Sequence, residues 1–331
     1  MAYVTRRQSI TLLGGAAAWP LAARAEQAGA LPVIGFVNAR ASDSSVRLAD
    51  AFRRGLIETG YVDGRNVAVE YHWLAGKYDH LPSIMADLVR RRVAVIATPG
   101  SNPASLAAKA ATTTIPIVFG VGEDPVKLGL VHSLARPGGN ATGINFFLSE
   151  VLAKRLGLLH ELVPKAVRIA VLVNPANAST AEATLREIPE AARAIGLQTQ
   201  ILNATTSREI EAAFTTLVRD RADALFIAPD GFFVSRRVQF ATLAARHGIP
   251  AAHTVREEVE AGGLMSYATD NADMFHRVGV YTGQVLKGAK PADLPVVQST
   301  KFEFVINLQT ARALGLDVSP SLLASADEVI E

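Results

Sequence analysis

The sequence predicts an α/β protein of two doubly wound parallel-sheet lobes, joined by a hinge and facing each other across a central cleft. Three observations carry this. From Val33 onward, short apolar runs alternate with amphipathic stretches of helix length, the pattern of a parallel sheet with crossover helices. The same order of elements occurs twice. Landmarks also recur at matching places: Val37-Asn38 with Val173-Asn174, Thr98-Pro99-Gly100 with Ala228-Pro229-Asp230, and Ile115-Pro116 with Ile249-Pro250.

In the first half the strand-type runs are residues 33–37, 67–71, 93–97, 117–121 and 141–146; in the second they are 167–173, 199–202, 223–228, 249–255 and 264–268. The helix over 47–60 repeats Leu48, Phe52, Leu56 and Ile57 at helical spacing before Gly60 stops it. Its counterpart is 180–196, where Pro189 predicts a kink or a split near Ile188. A helix over 272–288 ends at Gly288, and β-type runs follow between Leu294 and Ile306, a tail expected to cross back between lobes. Lobe one is expected at 32–145, with about 270–297 returning to it, and lobe two at 146–267, with about 300–331 returning.

With 331 residues, 49% of them hydrophobic, the chain can bury two cores. The formal charge of +2 rests on Arg6, Arg7 and Arg24; without residues 1–25 the 33 basic residues fall to 30 against 31 acidic ones, a net of −1. That balance leaves no electrostatic footprint for a phosphate backbone, so no nucleic-acid partner is expected. The absence of cysteine excludes disulfides, thiolate metal sites, a cysteine nucleophile and a lipid-modified N-terminal cysteine.

Residues 1–25 read as a cleaved export signal: the basic pair Arg6-Arg7, an apolar stretch from Ile10 to Leu21, then Ala23-Arg24-Ala25 before cleavage at Glu26. The pair is similar to that of twin-arginine signals, with Ser9 where those carry a large apolar residue. The apolar stretch is short of the roughly 20 residues a spanning helix needs, so the mature chain is expected in the periplasm without a membrane anchor.

Open parallel sheets bind ligands beyond the C-terminal ends of their strands, where helix N-termini and loop amides collect. Two such lobes make one cleft, lined by 38–46, 98–103, 120–125, 174–180, 229–233 and 254–258. In the first lobe Ser42, Ser44 and Ser45 offer hydroxyls and amides to a carboxylate, or a helix cap. Thr98, Gly100 and Ser101 repeat that arrangement, with Gly100 allowing close backbone approach. Gly122 follows the fourth strand, beside Asp124, which is read as a cap for a helix over 126–134.

In the second lobe Asn174 mirrors Asn38, and Asp230 brings a carboxylate with Phe232 and Phe233 beside it. Arg256 carries a guanidinium able to hold a carboxylate bidentately, with Glu257 and Glu260 as its alternative partners. It stands where the first lobe has Gly122, so the lobes are expected to grip different ends of an asymmetric ligand. Phe146, Phe147 and Tyr267 fall at lobe crossings, placed to wall an apolar or aromatic ligand body or to pack the hinge.

No metal or cofactor is expected. The seven histidines are scattered, and His72 with His80 lacks the spacing and partner ligands of a zinc site. No nucleophile elbow, Walker loop or dinucleotide fingerprint is present, and the glycines of 137–143 follow Arg136 rather than a strand.

Residues 116–143 (PIVFGVGEDPVKLGLVHSLARPGGNATG), 262–267 (GGLMSY), 286–295 (LKGAKPADLP) and 306–316 (INLQTARALGL), in that order, resemble the ABC-transporter substrate-binding family often described as tryptophan or tyrosine uptake components, of the type I periplasmic-binding fold. The resemblance covers the mature chain. It implies a cleft that closes on a small-molecule ligand and a membrane permease as partner. Arg256 with the aromatics suggests a carboxylate with an apolar or aromatic body, such as an amino acid. The competing functions are a ligand-sensing subunit of a membrane receptor, which gene neighbourhood would separate, and an exported enzyme using Asp124 or Asp230 as base, for which no nucleophile–base pair is present. A DNA-binding repressor would need a helix-turn-helix where the export signal stands.

Overall fold

The structure is a computed structural model and describes residues 31–146 and 148–331. The first lobe begins β1 (Val33–Asn38), α1 (Val46–Glu58), β2 (Ala68–Trp73), α2 (Leu81–Arg90), β3 (Val95–Thr98), α3 (Asn102–Ala111), β4 (Ile117–Val121) and β5 (Ala141–Asn145). The chain then passes to the second lobe: α4 (Leu148–Leu162), β6 (Arg168–Val173), α5 (Ala178–Ala194), β7 (Gln198–Asn203), α6 (Ser207–Arg219) and β8 (Ala224–Ile227). There follow α7 (Gly231–Ser235), α8 (Arg237–His247), β9 (Ala251–His253), α9 (Arg256–Glu260) and β10 (Met265–Thr269).

Helix α10 (Asn271–Leu286) and β11 (Val297–Gln298) return to the first sheet, and β12 (Phe302–Asn307), α11 (Leu308–Ala313), α12 (Pro320–Ser325) and β13 (Glu328–Ile330) to the second. The sheet orders are β11-β5-β4-β3-β1-β2 and β13-β12-β10-β9-β8-β6-β7. Every pairing is parallel except β10 with β12. Strands β3, β4 and β8 are buried along their whole length because helices cover both sheet faces, which is why they read as mainly apolar runs. Each face has its own core, one around Phe36, Phe52 and Phe275 and another around Phe214, Phe233 and Phe240 among them.

Three crossing segments lie side by side. Thr269 Oγ1 donates to the Phe146 carbonyl at 2.9 Å, Ser299 N–H to that of Asn145 at 2.8 Å, and Asp270 N–H to that of Lys301 at 3.0 Å. Helices α1 and α10 pack closely enough that a Cβ on Gly55 would meet the His276 carbonyl oxygen at 2.0 Å, so that helix pair depends on glycine.

Two local expectations need correction. Helix α5 runs unbroken through Pro189; the carbonyl the proline leaves unpaired belongs to Leu185, an exposed residue, while Ile188 and Ala192 stay in the core. The stretch 126–134 folds as turns and bends rather than a helix, with Asp124 Oδ1 accepting the Val126 N–H at 2.8 Å.

Candidate functional site

Both sheets point the C-terminal ends of their parallel strands at a shared cavity between the lobes. The first lobe contributes Ala39 and Arg40 after β1, Gly100 to Pro103 after β3, and Gly122 and Glu123 after β4; Tyr78 comes from the loop after β2. The second contributes Asn177, Thr180, Pro229 to Gly231, Val234, Thr254 and Val255, with Val151 and Arg155 from α4. Phe146 and Thr269 stand at the crossings.

The lobes touch across this cavity. Tyr78 Oη donates to Asp230 Oδ2 at 2.7 Å, Ala41 N–H to Ser235 Oγ at 3.0 Å, and Asn102 Nδ2 reaches Ser179 Oγ at 3.3 Å. Asp43 and Arg237 pair at 3.2 Å on the rim. A Cβ on Gly231 would lie 2.6 Å from Ala39 Cβ and 2.9 Å from its carbonyl oxygen, so the backbones meet there.

Arg155 is the least expected wall residue. It is 0% exposed; Nη2 donates to the Ile227 carbonyl at 2.9 Å and Nη1 to that of His253 at 3.4 Å, at the ends of β8 and β9, and the guanidinium lies over the Phe226 ring at 4.3 Å. Nε has no partner, and among the described residues no carboxylate pairs with this guanidinium. Burial pushes its pKa down to about 9, the Glu258 charge opposing that. Glu258 is itself buried: desolvation would raise it, but His253 and the Thr254 and Val255 N–H groups hold it below the usual carboxylate range.

Asp230 is a different kind of group. Oδ1 accepts from Asn174 Nδ2 at 2.8 Å and from the Phe232 and Phe233 N–H groups at 3.0 and 3.3 Å; Oδ2 accepts from Tyr78 Oη and, at 3.1 Å, from Asn177 Nδ2. A carboxylate offers about four lone-pair directions, so Asp230 is saturated by protein donors. Desolvation still raises its pKa, with Asn174, Tyr78 and Asn177 opposing. In Glu123, Oε2 accepts from Asn102 Nδ2 and Oε1 has no partner within hydrogen-bond geometry; desolvation raises its pKa, with the nearby Thr180 hydroxyl opposing. Counting Arg40 Nη1, Asn177 Oδ1 and Thr254 Oγ1, five buried polar atoms on cavity-lining residues of the two lobes lack partners.

Of the sequence-derived positions, Gly100, Ser101, Gly122, Phe146 and Asp230 line the cavity. Ser101 also caps α3, its Oγ accepting the Ala104 N–H at 3.3 Å. Thr98 is interior, bonded to Ser105 Oγ at 2.8 Å, and Asn174 stands behind Asp230. Phe232 packs into the second core, against Phe233. Ser42, Ser44 and Ser45 lie off the cavity: Ser42 is exposed, Ser44 Oγ bonds the Ala41 carbonyl at 3.0 Å, and Ser45 stands at the start of α1. Tyr267 stacks on Phe302 at 6.0 Å.

Arg256 is spent on its own lobe, with Glu260 at 3.3 Å, Glu303 at 3.8 Å and a hydrogen bond to Glu328 at 2.6 Å; β13 and β12, which bring Glu328 and Glu303 to it, could not be placed beside α9 from spacing. Phe147 and the export segment 1–25 lie outside the described residues. Arg155 had a legible signal: with Leu152, Leu156, Leu159 and Leu162 it shares the apolar face of α4, where a charge is out of place.

A family model described as ABC transporter substrate binding protein matches residues 32–330. A tyrosine-binding protein of Clostridioides difficile is 29% identical over 265 residues, 80% of this chain and 75% of its own length. The ABC domain in complex with L-Trp from Streptococcus pneumoniae is 26% identical and superposes with a TM-score of 0.82, covering 91% of this chain and 100% of that one. The ligand-free, open structure of a substrate binding protein with adhesive properties from Clostridium difficile is 25% identical and covers 91% and 99%, with a TM-score of 0.63. At near-equal identity and coverage the open structure fits less well, in keeping with the contacts that bridge the two lobes here. Among the described residues no helix is long and apolar enough to cross a membrane.

Proposed function

This chain belongs to the ABC transporter substrate-binding protein family, which gives it a small-molecule ligand and a transporter permease as partner, and on that premise we propose that it captures an α-amino acid with an apolar or aromatic side chain. The observation that carries the reading is the set of five unpartnered buried polar atoms. Leaving such groups unpaired costs about 1–3 kcal/mol each, so the cavity is built for a ligand that satisfies them. Arg40, Arg155 and Thr254 supply donors for a carboxylate; Glu123 Oε1 and Asn177 Oδ1 accept from an ammonium. Pro103, Phe146, Val151 and Val234 give the ligand body an apolar wall. The L-Trp complex and the tyrosine-binding relative support an aromatic side chain.

Capture is reversible and needs no covalent step: the lobes close by hinge motion at the three crossings, and the closed face meets the permease. The basic pair and small-x-small site of residues 1–25 support export to the periplasm by a twin-arginine-type signal. A thermal-shift screen of residues 26–331 against L-tryptophan, L-tyrosine, aliphatic amino acids and sugars tests the reading. An aromatic amino acid at a hundredfold excess over Kd should stabilise by about 2.7 kcal/mol and be recovered unchanged. Stabilisation by sugars alone, or recovery of an altered compound, contradicts it.

A further inference from the structure

We infer that the permease docks on the groove between the starts of α1 and α8, over an apolar pair, Val46 of the first lobe and Val238 of the second, that only the closed molecule presents as one surface. The inference rests on the permease partner that the family gives and not on the choice of ligand.

Val46 is the first residue of α1 and Val238 the second of α8. Neither belongs to the core face of its helix: α1 buries Leu48, Phe52 and Leu56, and α8 buries Phe240, Leu243 and Ala244. At 61% exposure each, they are the most exposed large apolar side chains among the described residues. Single exposed valines are ordinary, but these two come from different lobes and line one groove. The Asp43–Arg237 pair, 3.2 Å apart, lies in the same groove and ties the lobes together there. When the lobes separate, the two valines separate with them, so the closed state has this surface and the open state lacks it.

The charges of the groove define what fits it. Asp43 and Arg237 satisfy each other, whereas Arg47 on the first lobe and Glu257 on the second make no ion pair or hydrogen bond among the described residues; their charges act on Glu303 and Arg40 without contact. A complementary loop brings an apolar side chain to the valines, flanked by an acidic residue for Arg47 and a basic one for Glu257, an apolar centre inside a polar rim. A transporter has to tell loaded from empty binding protein, and a surface assembled from both lobes gives the permease the differential affinity for the closed state that this requires. A second copy of this chain fits less well, because a two-fold contact would set one groove against the same groove and leave both unfilled.

The test separates binding from delivery. Parent cells deleted for this chain, with each variant of the full chain restored, report uptake of labelled L-tryptophan and L-tyrosine, and calorimetry on residues 26–331 reports binding. Val46→Asp with Val238→Asp places a carboxylate in the first turn of each helix, where it favours the fold. This double variant should keep Kd within about twofold of the wild type and lose about tenfold or more of its uptake. Val46→Ile with Val238→Ile, which keeps the apolar pair, should restore wild-type uptake, and Val218→Asp, at a 42% exposed valine on α6, should leave uptake unchanged. Because the chain has no cysteine, Val238→Cys takes a single photoreactive maleimide. Added to spheroplasts in growth medium, that protein should crosslink to the permease subunit, and Val218→Cys should not. Wild-type uptake by the double aspartate variant overturns the inference, as does equal permease labelling from positions 238 and 218, or a crosslink that joins two copies of this chain in place of the permease. A wild type that binds neither amino acid overturns the amino-acid reading alone, since growth medium carries the ligands the cell takes up and the crosslink then decides the docking.

Discussion

The second lobe holds two arginines in opposite situations. Arg256, at the start of α9, is ringed by Glu260, Glu303 and Glu328; Arg155, in the middle of α4, has two strand-end carbonyls, an aromatic ring and no carboxylate. Arg256 sits beyond a strand, where ligand contacts are expected, yet its charge is already neutralised. Arg155 sits on a helix and is completely buried at the cavity, with the Glu258 charge acting on it and no carboxylate in contact. On the proposed reading, what marks the ligand-binding charge is burial without a counter-ion in contact.

The largest expected effect tests that contrast from the unpaired side. Arg155→Met, of similar length and apolar, should cost on the order of 2–5 kcal/mol of carboxylate binding, measured by calorimetry on protein whose circular dichroism matches the wild type. Glu123→Gln follows: with Oε1 the acceptor for an ammonium, affinity for an amino acid should fall by about 1.5–3 kcal/mol, and affinity for the matching deaminated acid should hardly change. Tyr78→Phe removes a bond to Asp230 that exists only when the lobes meet, so it should weaken every closing ligand by about 1.5 kcal/mol regardless of its chemistry. Arg256→Ala should be the smallest on binding, under about 0.5 kcal/mol, with about 1 kcal/mol lost from thermal stability.

The two-lobe fold and its family were legible because helix-covered parallel strands write themselves as apolar runs, and the runs came twice in one order. The loops of the cleft were legible too: Arg40, Asn102, Glu123, Asn177, Thr180 and Thr254 all lie in the segments that follow strands. The choice of residue within each loop was not. Ser42, Ser44 and Ser45 have the right chemistry but do not line the cavity, and Arg256 was chosen by charge when its partners, Glu303 and Glu328, arrive from a strand pairing that no local spacing encodes. Tyr78 reaches the cavity from the 3-10 turn after β2, a segment not counted among the cleft loops. Asp230 lines the cavity, but its five donors become visible only once Tyr78, Asn174 and Asn177 are brought together.

The central claim is that a buried guanidinium with no carboxylate in contact, in the inter-lobe cavity, receives the ligand's carboxylate. Calorimetric titration of L-tryptophan and L-tyrosine into residues 26–331, as wild type, Arg155→Met and Arg256→Ala, tests it most directly. The account predicts saturable one-to-one binding that Arg155→Met weakens at least thirtyfold, about 2 kcal/mol, and Arg256→Ala leaves within about twofold. Equal weakening by both substitutions, or loss only in Arg256→Ala, would contradict it.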